Sequence, residues 1–129
     1  MMVDAIGIAG SGMTMHRKWL DAIADNLANT STVTATSDRA FQERYIVAQE
    51  GQGVSGVSAT AAFGDTAGAL VYEPAHPLAD ANGYVRYPDI DMAEQMGHLI
   101  MAQRGYQANA AVVDRAKTAY EAALQIGRG

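Results

Sequence analysis

The C-terminal third of the chain carries the longest helical pattern. Apolar and aromatic side chains recur there at alternating spacings of four and three residues, which predicts one helix over residues 89–126. This stripe consists of Met92, Met96, Leu99, Tyr106, Ala110, Val113, Tyr120 and Leu124. Asp91 and Glu94 have the spacing of a capping box, and Gly127 marks the end. A helix of about 54 Å outgrows a compact domain of this chain length, so its stripe needs a partner.

A second helical pattern lies near the start of the chain. Its apolar positions are spaced by heptads, with one further residue in the last interval: Ile6, Met13, Leu20, Ile23 and Leu27. Glycines among the first twelve residues weaken a helix by up to about 1 kcal/mol each. We therefore predict a helix from Ser11 to about Asn29, with the first ten residues frayed or ordered only by neighbouring elements.

The middle of the chain changes to the alternating pattern of strands. Short runs of period two predict strands over 41–49, 57–63, 69–72 and 84–87. The predicted fold is mainly α with a small β insert, in which the long terminal helices pair as an antiparallel coiled coil. The predicted domains are a terminal helical domain, formed by 1–30 plus 89–129, and a loop with a small β insert over 31–88.

Composition and charge exclude several classes of function. The chain has no cysteine, which excludes disulfide scaffolds, thiolate metal sites and cysteine nucleophiles. It has no run of 18 apolar residues and no cleavable-signal pattern at its start, so we expect neither a membrane span nor signal cleavage. The net charge is −5, and acidic residues predominate over 65–94, so no nucleic-acid partner is expected.

The strongest candidate for metal chemistry is the group formed by His76, Glu94 and His98. Glu94 and His98 are four residues apart and share a helix face, which is one ingredient of a metal site. A pair at this spacing is ordinarily a solvated contact, and no HExxH motif is present. We therefore predict no catalytic, cofactor-binding or metal-binding residue and no cofactor. A metal-dependent enzyme that uses these three side chains stays an alternative.

Three stretches resemble the bacterial flagellar axial proteins, the family of rod, hook and related subunits. The run Asp25-Asn26-Leu27-Ala28-Asn29 resembles the N-terminal motif of that family, and residues 103–109 resemble its C-terminal motif. Residues 71–91, together with the short chain, are similar to the proximal-rod type of the flagellar basal body. The chain departs from the family over 32–39, where a glycine or proline with a tyrosine is usual.

The resemblance implies a structural subunit without enzymatic activity, in the proximal rod of the basal body within the periplasm. Such subunits assemble head-to-tail through their terminal helices into a hollow axis that transmits torque, after type III export without a cleaved signal peptide. The implied partners are other copies, other proximal and distal rod proteins, the flagellar export gate and basal-body ring components. A helical export chaperone or adaptor that does not polymerise is the alternative.

Subunit-interface residues are predicted from the two apolar stripes and from the matched motifs. They are Met13, Leu20, Ile23, Asn26, Leu27, Asn29, Met96, Leu99, Tyr106, Gln107, Asn109, Val113, Tyr120 and Leu124.

Overall fold

Two long helices precede and follow four short strands along the chain in the computed structural model, which describes residues 2–129. The elements are α1 (Met2–Ala28), β1 (Arg44–Glu50), β2 (Val57–Phe63), β3 (Ala69–Tyr72), β4 (Tyr84–Tyr87) and α2 (Met92–Arg128). Strands β1 and β2 form one two-stranded sheet, and β3 pairs with β4 antiparallel in another. This architecture confirms the predicted fold class of long terminal helices around a small β insert.

Helix α2 begins at Met92, three residues after the predicted start at Asp89, and ends slightly later than predicted. The Oδ1 atom of Asp91 accepts hydrogen bonds from the backbone N–H groups of Ala93 at 2.8 Å and Glu94 at 3.2 Å. Asp91 is thus the N-cap, because its carboxylate pairs first-turn amides that have no partner within the helix. The helix continues to Arg128, two residues beyond the predicted end at Ile126.

Helix α1 begins earlier than the sequence predicts. It starts at Met2 rather than Ser11, so the predicted start is wrong, and Met1 lies outside the described residues. That the first ten residues are frayed or ordered only by neighbouring elements stays a prediction. Tertiary packing supports the C-terminal side of this extension, since Ala9 is 4% exposed and Gly12, just after the first ten residues, is buried. The intrinsic cost of Gly7 and Gly10, where a Cβ would meet nothing within 4 Å, does not prevent the helix.

The strands agree closely with the alternating pattern. Strands β2, β3 and β4 have the predicted bounds, whereas β1 begins at Arg44, three residues after the predicted start at Phe41. The β1–β2 hairpin is closed at its turn by a hydrogen bond from Gly51 N to Gly56 O at 2.7 Å. Short alternating segments bounded by glycine are therefore enough to locate the insert strands.

The chain forms two compact units, each with parts of both helices. Unit 1 contains the chain up to Leu20, with Ile46–Thr60 and Ile100–Gly129, and unit 2 contains Asp21–Tyr45 and Ala61–Leu99. Each unit draws residues from both domains predicted above, which were divided along the chain. That division, 1–30 plus 89–129 against 31–88, stays a prediction.

In unit 2, the β3–β4 hairpin has one buried face. Val85 is fully buried opposite Val71, whereas the neighbouring cross-strand pair, Tyr72 and Tyr84, lies on the exposed face. The hairpin turn needs Gly83, whose φ of 86° is in the left-handed region, and a Cβ there would lie 2.7 Å from the Tyr72 ring. The tight turn predicted at Asn82-Gly83 is confirmed.

The loop after α1 is attached to β4 of the same unit. Thr34 and Arg86 exchange two backbone hydrogen bonds, of 2.9 and 3.0 Å, in an isolated antiparallel bridge. The Arg86 guanidinium donates from Nη2 to the carbonyl of Thr36 at 3.1 Å. These bonds order the threonine-rich segment although it forms no strand of its own. Over residues 2–129, no helix combines the length and apolarity that a membrane crossing requires.

Candidate assembly interface

In unit 1 the two helices run antiparallel and interlock through glycines. Gly12 of α1 lies against Asn109 of α2, and a Cβ at Gly12 would be 2.7 Å from Asn109 Oδ1. One turn along, the His16 ring lies against Gly105, where a Cβ would be 2.1 Å from His16 Nε2. On each helix a glycine therefore packs against a larger side chain of the other helix. Because glycine has no side chain, the two backbones can lie close together at these positions.

Local hydrogen bonds hold the two larger side chains in place. His16 Nδ1 lies 2.7 Å from the carbonyl oxygen of Gly12, and because a carbonyl only accepts, this nitrogen carries the hydrogen. Asn109 Nδ2 donates to the carbonyl of Gly105 at 2.9 Å. Both side chains are thus oriented before any other molecule arrives.

A hydroxyl attaches the β1–β2 turn to α1 in unit 1. Ser11 Oγ donates to the Ile8 carbonyl at 2.6 Å and accepts from the Val57 backbone N–H at 3.0 Å. Gly56 has a φ of 76°, and a Cβ there would be 2.1 Å from Ser11 Oγ, so only glycine fits. Beside this contact is an open groove of about 460 Å³, lined by Ile8, Gly12, Met15, His16, Glu50, Gly51, Gly53, Gly56, Val57 and Asn109.

In unit 2 a buried asparagine joins three segments. Asn26 of α1 is 1% exposed, and its Nδ2 donates to the Arg44 carbonyl at 2.7 Å and to Gln95 Oε1 of α2 at 3.0 Å. Its Oδ1 accepts from the backbone N–H of Arg44 at 2.7 Å. Gln95, also 1% exposed, donates from Nε2 to Glu43 Oε1 at 2.7 Å. Both buried amides are therefore engaged within the chain, as buried polar groups must be.

The neighbouring ion pair is more exposed. The Arg44 guanidinium pairs with the Asp25 carboxylate, and it lies 5.3 Å from the centre of the Phe41 ring and 5.8 Å from that of Phe63. The two charged side chains are 41% and 48% exposed, so solvent screens their attraction and the pair contributes little stability. The pair connects the start of β1 with the end of α1, where the hydrogen bonds of Asn26 to Arg44 supply the main attachment.

Two groups of the insert have displaced pKa values. The backbone N–H of Tyr84 lowers the pKa of Asp80 below its ordinary value of 3.8, partly opposed by desolvation and aided by the Thr36 hydroxyl and further backbone N–H groups. The hydrogen bond from Tyr87 Oη to Glu73 Oε1, 2.7 Å long, raises the pKa of Tyr87 above 10.0. Both groups stabilise local turns and loops rather than form a reactive pair.

Exposed apolar side chains occur along the whole of α2, and its last third is exposed at every position. Every residue over 117–128 is exposed, including Tyr120 at 45%, Leu124 at 50% and Ile126 at 81%. A second exposed apolar surface lies on β3, where Leu70 is 56% and Tyr72 63% exposed. Surfaces of this kind mark sites of interaction with other molecules when they are contiguous.

The predicted interface residues divide into three classes of exposure. Ile23 and Asn26 are buried within the chain. The half-buried members are Met13, Leu20, Leu27, Asn29, Leu99, Tyr106, Asn109 and Val113. The exposed members are Met96, Gln107, Tyr120 and Leu124. Whether they contact another subunit stays a prediction.

Sequence reasoning missed the two most buried residues of α2 and predicted Asn109 only as a contact with another subunit. On α2 the most buried positions are Gln95 and Ala102, one heptad apart, and Asn109 continues the row. The apolar stripe marked other positions, because a glutamine and an alanine give no hydrophobic signal. A heptad of small and polar residues beside the apolar one was the available clue.

The three residues of the alternative metal site make separate local contacts. His76 Nδ1 accepts a hydrogen bond from the Leu78 backbone N–H at 3.0 Å, while His98 Nε2 lies 3.9 Å from Glu94 Oε1 as an ordinary contact along one helix. Among the described residues, no three histidine or carboxylate side chains are placed to share a metal ion. Nothing in the structure favours the enzyme alternative.

Comparison with known proteins decides the family. The chain is 36% identical over 132 aligned residues to the flagellar basal-body rod protein FlgC of Salmonella typhimurium, and 98% of each chain is covered. The chain belongs to the FlgC family of flagellar basal-body rod proteins. FlgC proteins of Borreliella burgdorferi and Bacillus subtilis are each 28% identical, over 99% and 96% of this chain and 99% and 97% of their own.

A second match covers all of β4 and most of α2. Residues 81–126 match the family described as "Flagellar basal body rod FlgEFG protein C-terminal". This region includes the N-cap Asp91, the buried Gln95 and the glycine that receives His16. FlgC membership thus agrees with the family resemblance of the sequence motifs, and the structure adds the contacts that those motif residues make.

Proposed function

We propose that this chain is a structural subunit of the flagellar basal-body rod that assembles through its terminal helices. The observation that carries the proposal is the similarity to a FlgC rod protein over 98% of both chains. The structure supports it with exposed apolar side chains on a long helix, which a subunit of an assembly would cover with its neighbours. The role is mechanical, with no catalysis and no cofactor.

The contact with a neighbour involves mainly the exposed members of the predicted interface. Tyr120 and Leu124 offer large apolar side chains on the last third of α2, and Met96 does so near its start. A neighbour binds these residues with a different part of its own surface. Such a heterologous contact propagates a helical array instead of closing a dimer, as a rod requires.

The environment and partners follow from that role. The rod stands within the periplasm, and its neighbours are copies of this chain, other proximal and distal rod proteins, the export gate and basal-body rings. The subunit passes through the type III export channel without signal cleavage. These proposals about location, partners and export are supported by family membership. The exposed C-terminal end of α2 is the surface on which the proposed assembly can be tested.

The test changes charge at the exposed end of α2. Leu124→Asp places a carboxylate where a neighbour's apolar surface would lie, and it should abolish rod assembly and swimming because an unpaired buried charge is costly. The monomer should keep its thermal stability, since Leu124 is 50% exposed. The measurements are swimming in soft agar and electron microscopy of basal bodies, in a strain that carries only the variant.

The matched control is Gln125→Asp, which adds the same charge at the next exposed position. It should swim normally if the surface around Leu124 is specific. Normal rods and swimming with Leu124→Asp would contradict the proposed interface. A purified chain that stays monomeric or dimeric at every concentration, and is not found in rods, would favour the chaperone alternative.

A further inference from the structure

The amides of Asn26 and Gln95 form a buried side-chain to side-chain hydrogen bond between α1 and α2 in unit 2. Asn26 Nδ2 donates to Gln95 Oε1 at 3.0 Å, and both residues are 1% exposed. The two positions are 69 residues apart in the chain. We refer to these two residues as the amide pair.

Each member of the amide pair also holds the segment that leads into β1. Asn26 exchanges two hydrogen bonds with the backbone of Arg44, each of 2.7 Å, and Gln95 donates to Glu43 Oε1 at 2.7 Å. Two adjacent residues of the insert are thereby fixed to two different helices. Sliding one helix along the other would separate the amides and break these bonds as well.

The apolar residues of α1 do not by themselves define one alignment. Ile6, Met13, Leu20 and Leu27 repeat every seven residues, so a partner helix shifted by one heptad meets a similar surface. Alanines along α2 are small enough to accept such a shift. A buried polar pair distinguishes the alignments, because each shifted one leaves buried amide groups without partners.

We propose that Asn26 and Gln95 are positioning residues that select one alignment of α1 against α2 within each chain, and that Asn26 is therefore not a contact between subunits. The sequence motif around Asn26 predicted the opposite role. The inference concerns the isolated chain and does not depend on the proposed rod function. It explains why an asparagine occupies the most buried polar position of an otherwise apolar helix face.

The test measures helix alignment in the isolated monomer. The chain has no cysteine, so cysteines at the exposed positions Ala24 and Ala93 can carry spin labels for pulsed electron paramagnetic resonance. The parent chain should give one narrow distance. Replacing both amides, with Asn26→Leu and Gln95→Leu, should add a population in which one helix has slipped along the other by one heptad, about 10 Å along the helix axis.

A milder variant keeps the inference testable if the double variant does not fold. Gln95→Leu leaves the hydrogen bonds between Asn26 and Arg44 intact, and it should also show at least one additional distance. The matched control is Gln103→Leu, which removes an exposed amide from the same helix and should leave the single distance unchanged.

Hydrogen exchange separates positioning from general loss of stability. The Arg44 backbone N–H donates to Asn26 Oδ1, so Asn26→Leu should speed its exchange by about fivefold or more, relative to the global change. Gln95→Leu should not affect that amide selectively. A single unchanged distance in monomeric Gln95→Leu, or in a folded double variant, would overturn the inference. Loss of assembly with unchanged monomer distances would instead make Asn26 a contact between subunits.

Discussion

Helix α2 contains two parts with the same type of sequence and different surroundings. Between Gln95 and Ala116 one side of the helix is buried or half-buried, and Ala102 has no exposed surface. From Lys117 to Arg128 every residue is exposed. Both parts are rich in alanine and both carry large apolar side chains. The difference shows that contacts within the chain stabilise the first part, whereas the second part has only its intrinsic propensity until another molecule covers it.

Hydrogen exchange of the monomer should show the largest difference between the two parts. Backbone amides near Ala102 should open only with global unfolding, which costs about 5–15 kcal/mol in domains of this kind. Amides beyond Lys117 should exchange with an opening free energy near zero, because helix ends without tertiary contacts fray. Exchange measured by mass spectrometry or NMR checks this. Equal protection along all of α2 would remove the distinction on which the proposed interface rests.

A larger side chain at the buried alanine should be the most damaging single substitution. Ala102→Leu adds three carbon atoms at a position with 0% exposure, and overpacking of this kind costs about 1–3 kcal/mol. Thermal denaturation should show a clearly lower Tm. The same substitution at exposed Ala119, in the second part of the helix, should leave Tm almost unchanged. If both variants lowered Tm by a similar amount, the difference in burial between the two parts of α2 would not correspond to a difference in their contributions to stability.

Gly97 and Gly105, two of the three glycines of α2, should respond in opposite directions to substitution by alanine. At Gly105 a Cβ would lie 2.1 Å from His16 Nε2, so Gly105→Ala should lower stability by about 1–2 kcal/mol as the ring is displaced. At Gly97 a Cβ meets nothing within 4 Å, and Gly97→Ala should raise stability by up to about 1 kcal/mol. Chemical denaturation of both variants gives the comparison. Stabilisation by Gly105→Ala would contradict the interlock with α1.

The smallest expected effect is the loss of stability of the insert at acid pH, when Asp80 becomes protonated. In the folded chain the pKa of Asp80 lies below the ordinary value of 3.8, chiefly because the backbone N–H of Tyr84 donates a hydrogen bond to its carboxylate. Asp80 therefore contributes to the free energy of unfolding at pH values above 3.8, and this contribution is lost as the pH falls through the folded pKa. Stability measured from pH 6 to pH 2 should therefore fall less steeply in Asp80→Asn than in the parent chain. Identical pH profiles would mean that the turn from Asp80 to Tyr84 does not depend on this carboxylate.

Local features were predictable from the sequence to within a few residues. Asp91 caps α2, Asn82-Gly83 forms a turn, and the alternating residues of β2, β3 and β4 mark the strands with the predicted bounds. Each of these depends on residues close together in the chain, whose propensities and spacing can be read directly. The family resemblance of the motifs was likewise visible in the sequence and is confirmed by the FlgC matches.

The residues that join the helices could not be found in the same way. Gly12 was predicted to weaken α1, and Gly105 was noted only as part of the motif over 103–109, yet each receives a side chain from the other helix. Asn26 appeared as a possible contact with a neighbour, although both ends of its amide are bonded within the chain. Small and polar residues carry no hydrophobic signal, so their burial depends on what faces them.

The sequence by itself determined the long α2, the strands, the absence of cysteine and the motifs of a flagellar rod family, because these are properties of neighbouring residues or of composition. Only the tertiary structure decided that α1 begins at Met2, that Asn26 meets Gln95, and that α2 is packed as far as Ala116 and exposed beyond it. These outcomes depend on segments up to 69 residues apart, whose mutual approach is set by packing and hydrogen bonding rather than by local propensity.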